Sequence, residues 1–216
     1  MNASNSGMKV INHKNANQNI KNKAKGIIPR TLSLMEKPNH NIRVFYYSDK
    51  EKNIIGYIVL KKIEVVSPQS LVSIINGKVV YDLSINISSE YQKKGYATNF
   101  FGQILHKIIN KEDAFIYLTD STGGGIGEKL YAGQKVVEKF DVYHIFDGAR
   151  GSYLIGKKTD KNRVHYVKLN KNNPELQYYF ERSFESNYGK KHLIKYYQNN
   201  PPPPPPPLQL PPNSSP

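Results

Sequence analysis

The sequence predicts an α+β (α/β) fold, with a mixed, mostly antiparallel sheet and flanking helices. Two observations lead to this prediction. Residues 78–110 show the pattern of a strand, a short basic loop and an amphipathic helix, and a further strand follows at 114–120. A strand, helix and strand in this order form a crossover, which places the two strands in parallel. The β-rich runs before residue 78 are joined by short turns, so they are expected to pair antiparallel.

The first strands are predicted upstream of the central segment. Residues 42–47 and 54–66 form two β-rich runs separated by a polar turn. The dipeptide Asn-Gly at 76–77 predicts a hairpin between strands at 71–75 and 78–87, because it favours the type I′ turn. These runs make an antiparallel meander that leads into the central strand.

The central segment combines two periodicities. Apolar and polar residues alternate along 80–88, as expected of a strand with one buried face. Apolar residues then recur at helical spacing, at Ala97, Phe100, Phe101, Ile104, Leu105 and Ile108. The loop between them carries Gly95, where backbone N–H groups at a helix start could face an anion.

Further elements are predicted after the central helix. They are a buried strand at 114–120, a short helix at 127–133 and two strands at 135–146 and 152–157. The glycine-rich loop before the short helix does not match a nucleotide-binding phosphate loop. That loop requires Lys directly after its last glycine, whereas here Glu128 intervenes.

The basic charge of the chain lies in its flanks. Its 216 residues hold 31 Lys and Arg against 17 Asp and Glu. Residues 1–30 hold six of these cations and no acid, so they are predicted to be a disordered basic tail. The folded domain is expected over 31–158. Residues 159–199 are read as a basic helical extension, with Pro174 at a helix start, and 200–216 as a polyproline tail.

Several classes of protein are excluded by composition. The chain has no cysteine, which rules out disulfides, thiolate metal ligands and a cysteine nucleophile, and favours a cytoplasmic location. It has no apolar run of about 20 residues, as a membrane span needs, and no signal-peptide pattern at its start. Six scattered histidines lack the spacing of metal ligands, so no metal site is predicted.

The proline tract indicates a second kind of partner. Seven consecutive prolines at 201–207, followed by Leu208, resemble the ligands of profilin, SH3 or EVH1-type modules, which bind preformed polyproline helices. A stiff tail without a reader is the alternative. Since bacteria lack most of these readers, a bacterial source would favour delivery of the protein into a host cell.

The loop and its surroundings resemble the GNAT superfamily of acyl-CoA-dependent N-acetyltransferases. The signature of that superfamily is Gln or Arg, two residues, Gly, one residue, then Gly or Ala, after the fourth strand. Gln92, Gly95 and Ala97 match it here, and the resemblance covers roughly residues 40–157. It implies a GNAT-like fold and transfer of an acetyl group from acetyl-CoA to an amine, with no metal.

The resemblance also implies which residues hold acetyl-CoA. In the superfamily the fourth and fifth strands splay apart, and the pantetheine arm pairs with the edge of the fourth. The pyrophosphate lies on backbone N–H groups at the positive end of the helix dipole. The residues that these roles fall on are Ile85, Ile87, Gln92, Lys93, Lys94, Gly95, Tyr96 and Ala97.

The catalytic residues are less clearly marked. The Leu-Tyr pair at 130–131 resembles a superfamily pattern in which the tyrosine is the general acid for the leaving thiolate, so Tyr131 is the candidate. Asp120 and Asp82 are carboxylates near the expected acyl group. Asp82 lies one position away from the usual glutamate, where Tyr81 stands, and therefore on the opposite sheet face. A structural role is expected for Asp82, and no general base is assigned.

Two other interpretations stay open. The Gly-Phe and Asn that usually accompany the tyrosine are missing, which favours a non-catalytic GNAT-like adaptor that acts through the basic flanks and the proline tail. Nucleic-acid binding by the flanks is the weakest of the three interpretations. The amine-binding wall is expected from 31–39, from 158–198 or from a second subunit, because 42–47 runs almost directly into 54–66 and leaves little room for helices.

Overall fold

The computed structural model describes residues 7–37, 41–63, 75, 77–119, 126–147, 150–159, 163–168 and 178–183. The strands in these segments are β1 (Lys9–Asn12), β2 (Ile42–Ser48), β3 (Ile54–Ile63), β4 (Val80–Ile87), β5 (Phe115–Thr119), β6 (Phe140–Asp147), β7 (Arg150–Lys157), β8 (Arg163–Lys168) and β9 (Tyr178–Ser183). The α-helices are α1 (Gln18–Ile27), α2 (Pro29–Met35), α3 (Tyr96–Leu105), α4 (Ile126–Tyr131) and α5 (Gln134–Val137). A π-helical stretch, His106–Lys111, continues α3.

The nine strands form one mixed sheet in the order β1-β2-β3-β4-β5-β7-β6-β8-β9. Two neighbouring pairs, β4 with β5 and β6 with β8, are parallel, and all the others are antiparallel. The crossover from β4 through α3 to β5 is the one expected from the sequence. The predicted mixed, mostly antiparallel sheet with flanking helices is therefore confirmed.

Helices cover the sheet on both faces. On one face, called the α3 face, Phe100, Phe101 and Ile104 of α3 pack against Leu83 and Ile87 of β4. On the other, called the α1 face, residues of α1 and α2 pack against β2 and β3. A third cluster on the α1 face joins β4, β5, β6 and β7, and its members are Ile75, Val80, Phe115, Ile145 and Leu154. Residues 82, 84 and 86 of β4 are exposed between these two clusters.

The prediction of a disordered tail over 1–30 is wrong for the part that the structure describes. Residues 7–30 contribute β1, α1 and the start of α2. Ile20, Ala24 and Ile28 lie four residues apart along one side of the helix and are at most 5% exposed. Asn17 caps α1 by accepting the Ile20 N–H at 3.0 Å. Composition concealed this short buried stripe, because lysine and asparagine fill the other faces.

The helical prediction for 159–199 is also wrong where the structure describes that region. β8 pairs in parallel with β6, and β9 pairs antiparallel with β8, so both continue the sheet. Both segments are rich in Tyr, Val and Phe, which favour strands over helices. The prediction of one strand over 135–146 is corrected in the same way, because 134–137 forms α5 before β6 begins at Phe140.

Several predicted features lie outside the described residues. They are the strand residues 71–74, Asp120, most of the glycine-rich loop, and the polyproline tail at 200–216. None of the helices in the described segments has the length and apolar character needed to span a bilayer.

Ile20→Ala tests whether the N-terminal region belongs to the folded unit. Ile20 is 1% exposed, so the substitution is expected to lower the free energy of unfolding by about 2–4 kcal/mol. The matched control is Ile27→Ala, at a side chain that is 46% exposed, for which a change below about 0.5 kcal/mol is expected. Urea denaturation measures both, and equal small effects would contradict the packing of α1 on the sheet.

Candidate functional site

The loop between β4 and α3 begins the helix without a side-chain cap. Gly95 is the N-cap residue, with φ +82° and ψ −2°, and it has no side chain with which to cap the helix. The first helical hydrogen bond runs from the Asn99 N–H to the Gly95 carbonyl at 3.1 Å. The N–H groups of Tyr96, Ala97 and Thr98 thus come before any intrahelical acceptor. They form an uncapped positive helix end.

Backbone geometry opens the loop to an anion. Lys93 and Gly95 both have positive φ, at 58° and 82°. Left-handed residues that alternate with right-handed ones turn successive N–H groups toward one side, and such concave backbone segments bind anions. A Cβ placed on Gly95 would meet no atom within 4 Å, so the space above it is open. Lys93 and Lys94, which precede Gly95 in the chain, are exposed, and the Lys94 ammonium lies 5.8 Å from the centroid of the Tyr91 ring.

Gln92 holds the loop against the strand. Its Nε2 donates to the Ile87 carbonyl at 2.9 Å, which closes the chain between the end of β4 and the loop. The side chain of this predicted cofactor-binding residue therefore positions the backbone. Beneath the helix start, Tyr47 stacks on Phe100 with 4.9 Å between ring centroids and donates its hydroxyl to Asn99 at 2.8 Å. These contacts pack the start of α3 against β2.

The strands β4 and β5 separate in the middle of the sheet. They pair at only three positions, the last being Asp82 with Tyr117. Beyond that point β4 continues to Ile87 beside β3, and β5 continues to Thr119 beside β7. The gap that results is called the fork. It opens toward the end of β4 that carries the loop.

The backbone of β4 turns hydrogen-bonding groups into the fork. The Ser88 N–H bonds to the Ile55 carbonyl at 2.9 Å, on the β3 side, whereas the Val79 carbonyl accepts the Phe115 N–H at 2.8 Å, on the β5 side. Because the direction alternates along a strand, the groups of Leu83, Ile85 and Ile87 face the fork. The backbone role predicted for Ile85 and Ile87 is consistent with this orientation. The Ile87 carbonyl is used by Gln92.

Tyr131, the predicted general acid, ends α4 on the α3 face. Its ring lies 5.5 Å from the ring of Phe101 in α3 and 5.5 Å from that of Tyr153 in β7. Leu118 of β5 pairs with Tyr153, so these contacts hold Tyr131 near the open end of β5. The side chain is partly buried.

Asp82 lies on β4, on the face of the sheet that the one-residue shift predicted. It is the last residue of β4 that pairs with β5, and it lies on the α1 face, opposite Tyr81 and α3. Lys61 of β3 stands directly across from it. Although the residue is exposed, burial of its carboxyl raises its pKa, and Lys61 acts in the opposite direction. The one-residue shift suggested a structural role for Asp82. In the structure, however, the residue lies where the pairing of β4 with β5 ends, and this point is called the foot of the fork.

The structure contains helices ahead of β2 that the sequence analysis did not predict. The true first strand is β1, and α1 and α2 lie between it and β2. They pack on the α1 face beside the exposed residues of β4. The expected shortage of helices came from counting 42–47 as the first strand. Among the described residues, no group of three or more His, Asp and Glu could hold a metal ion.

No protein-family model matches the chain, and no curated protein matches it either. Among solved structures, 81 chains match. One is from the NatC complex bound to Gag peptide and CoA, with 15% identity, 71% of this chain and 99% of that chain covered, and a TM-score of 0.45. Another is the Campylobacter jejuni N-acetyltransferase PseH, with 16% identity, 70% and 99% covered, and a TM-score of 0.45. A third is the Vibrio cholerae spermidine/spermine N-acetyltransferase SpeG, with 17% identity, 70% and 92% covered, and a TM-score of 0.42.

Two of these three structures carry the name of an N-acetyltransferase, and the third contains CoA. The identities and TM-scores are too low to carry a substrate or a residue role to this chain.

Proposed function

We propose that this protein is an acetyl-CoA-dependent N-acetyltransferase that acts on an amine by direct attack. The observation that carries the proposal is the fork. Its open end lies at the end of β4 that leads into the uncapped start of α3. A pyrophosphate needs backbone donors and positive charge, which the loop at 93–97 offers. A pantetheine arm needs a strand edge to pair with, which β4 offers at Leu83, Ile85 and Ile87.

The residues at the foot of the fork suit acyl transfer. The reaction forms a C–N bond, breaks the C–S bond, moves one proton off the amine and places one on the thiolate. The fork-facing N–H groups of β4 are available to a carbonyl oxygen that gains negative charge. We assign the amine proton to the Asp82 carboxylate and the thiolate proton to the Tyr131 hydroxyl.

The two proton-handling groups lie on opposite faces of the sheet. Asp82 is on the α1 face, where residues 82, 84 and 86 of β4 are exposed, and Tyr131 is on the α3 face beside Phe101. The amine would therefore approach from the α1 face while the thiol leaves toward the α3 face. A base with a raised pKa is also better matched to an amine proton than an ordinary aspartate.

The test is turnover of acetyl-CoA with a panel of amines. The panel includes polyamines, amino sugars, and peptides with a free α-amine or a lysine. Release of free CoA that depends on one amine class, with the acetylated product seen by mass spectrometry, is the expected result. Tight acetyl-CoA binding without turnover on any amine would instead favour the non-catalytic adaptor.

Tyr131→Phe tests the general acid. Removing the hydroxyl is expected to lower kcat about 100-fold while the KM for acetyl-CoA changes little, because the ring contacts with Phe101 and Tyr153 remain. Steady-state kinetics on the preferred amine measures this. The matched control is Tyr143→Phe, in the cluster on the α1 face, for which kcat is expected to stay within about twofold. If the Tyr131→Phe variant has the wild-type kcat, Tyr131 is not the general acid and contributes only to packing.

A further inference from the structure

A row of four side chains crosses the sheet at the foot of the fork. In order from β2 to β5 they are Ile42, Lys61, Asp82 and Tyr117, and each lies opposite the next in the pairing of the strands. Side chains of directly paired residues lie on the same face of a sheet, so all four share the α1 face. This set is called the foot row.

The two charged members of the foot row are neighbours that are not bonded to each other. Lys61 and Asp82 are both exposed. Among the described residues, neither side chain takes part in a direct ion pair. Their Cβ atoms are expected to be about 4.5–5.5 Å apart, as in other directly opposite antiparallel pairs. A positive and a negative group thus lie side by side, and each keeps hydrogen-bonding positions for a ligand.

The described residues next to this charge pair are uncharged. On one side, Tyr117 is partly buried and its hydroxyl donates to the Ser152 Oγ at 2.9 Å. On the other side, Ile42 is partly buried. Further along the same face of β4, the exposed residues are Ser84 and Asn86. The foot row therefore offers one positive and one negative group between polar and apolar side chains.

This charge pair discriminates among classes of amine. A polyamine would place a second positive charge beside the Lys61 ammonium, and juxtaposed like charges oppose binding. A simple monoamine would contact Asp82 and leave the Lys61 ammonium without a partner. An amine with a carboxylate a few bonds away would satisfy both groups through charge-assisted hydrogen bonds. The flexible stem of lysine lets its ammonium reach carboxylates at slightly different distances from the amine.

We propose that Lys61 and Asp82 together bind a small zwitterionic amine, such as a free amino acid, with its nitrogen at the Asp82 carboxylate and its carboxylate at the Lys61 ammonium. The role of this ligand as the acetyl acceptor rests on the proposed function, but the binding itself does not. Asp82 lies where β4 and β5 separate, so the bound nitrogen lies at the fork. Lys61 then selects the acceptor and takes no part in the proton transfer.

Paired acceptors test this selectivity. β-Alanine and β-alaninamide share a carbon skeleton and a free amine, and only β-alanine carries a carboxylate. With acetyl-CoA and the full chain, kcat/KM is expected to be about tenfold higher for β-alanine, because a hydrogen bond between charged groups is gained. The gain is expected in the KM for the amine. Spermidine, which adds positive charge, is expected to have the highest KM of the three.

Substitutions at Lys61 test whether this lysine causes the preference. Lys61→Met keeps an unbranched side chain and removes the charge, so it is expected to lower the ratio of kcat/KM for β-alanine to that for β-alaninamide about tenfold. Lys61→Arg keeps the charge and is expected to retain most of the ratio. The matched control is Lys62→Met, at the exposed next residue on the other face of the sheet, which is expected to leave the ratio unchanged. Comparing ratios cancels the intrinsic reactivities of the two amines.

A binding measurement without an acyl donor separates this inference from the proposed function. Adding β-alanine to the ¹⁵N-labelled full chain is expected to give saturable shifts at the amides of Lys61 and Asp82, and Lys61→Met is expected to abolish them. No shifts, equal shifts with β-alaninamide, or the same kinetic ratio in the wild-type and Lys61→Met proteins would overturn the inference. If β-alanine binds as expected and no amine is acetylated, the proposed function fails and the inference stands.

Discussion

Gly95→Glu is expected to weaken acetyl-CoA binding at least about 100-fold. The new carboxylate would enter the open space above the uncapped helix end, where the account places the pyrophosphate. Juxtaposed like charges cost several kcal/mol, and each 1.4 kcal/mol is about a tenfold loss of affinity. Isothermal titration calorimetry with the full chain measures the change.

The matched control for this substitution is Gly95→Gln. It places a side chain of the same size at the same φ of +82° and therefore brings the same backbone strain without the charge. We expect it to weaken binding by about 30-fold or less, since left-handed geometry costs a side chain roughly 1–2 kcal/mol and each 1.4 kcal/mol is about a tenfold loss. Equal losses for Glu and Gln would show that loop distortion, and not phosphate repulsion, explains the effect.

Asp82→Asn is expected to lower kcat/KM about 100-fold, the usual contribution of a general base. The amide keeps the shape of the side chain but cannot take a proton. In the wild-type enzyme the rate is expected to rise with pH as Asp82 ionises, at a pH above the usual range of aspartate because burial raises its pKa. The Asn variant should lose that limb of the pH profile.

Stability separates this role from a structural one. A carboxyl whose pKa is higher in the folded state than in the unfolded state binds its proton more tightly when folded. Above that pKa its ionisation therefore opposes folding. Asp82→Asn removes this penalty, so the free energy of unfolding at neutral pH is expected to stay equal or rise. A clear loss of stability, together with an unchanged pH profile, would show that Asp82 has the structural role expected from the sequence and is not the general base.

The half of the site that we propose to bind the acyl donor was predictable from the sequence. The strand, the loop and the helix are adjacent along the chain, and each has a local pattern of its own. Gly95 stood out because only glycine adopts φ near +82° without strain. The fork was expected only from the resemblance to the superfamily, because it arises where β4 and β5 stop pairing, and pairing depends on contacts distant in sequence.

The half of the site that we propose to face the amine was missed for a different reason. α1 buries only a narrow stripe of Ile20, Ala24 and Ile28, and its other positions are lysine and asparagine. Composition therefore suggested disorder, although Asn17 as a helix cap and Pro29 at the first turn of α2 were readable signs. Because β1 was not predicted, residues 42–47 were counted as the first strand. The helices α1 and α2, which pack on the same sheet face as Asp82, were therefore not expected.

Amide chemical shifts on addition of acetyl-CoA test the central claim most directly. Titrating ¹⁵N-labelled protein with acetyl-CoA is expected to give saturable shifts at the loop amides of Lys93–Ala97 and at the fork-facing amides of Leu83 and Ile85. Amides of β1 and β2, outside the site, should stay in place. Saturable shifts confined to other parts of the chain, or no shifts at all, would contradict binding of an acyl-CoA in the fork.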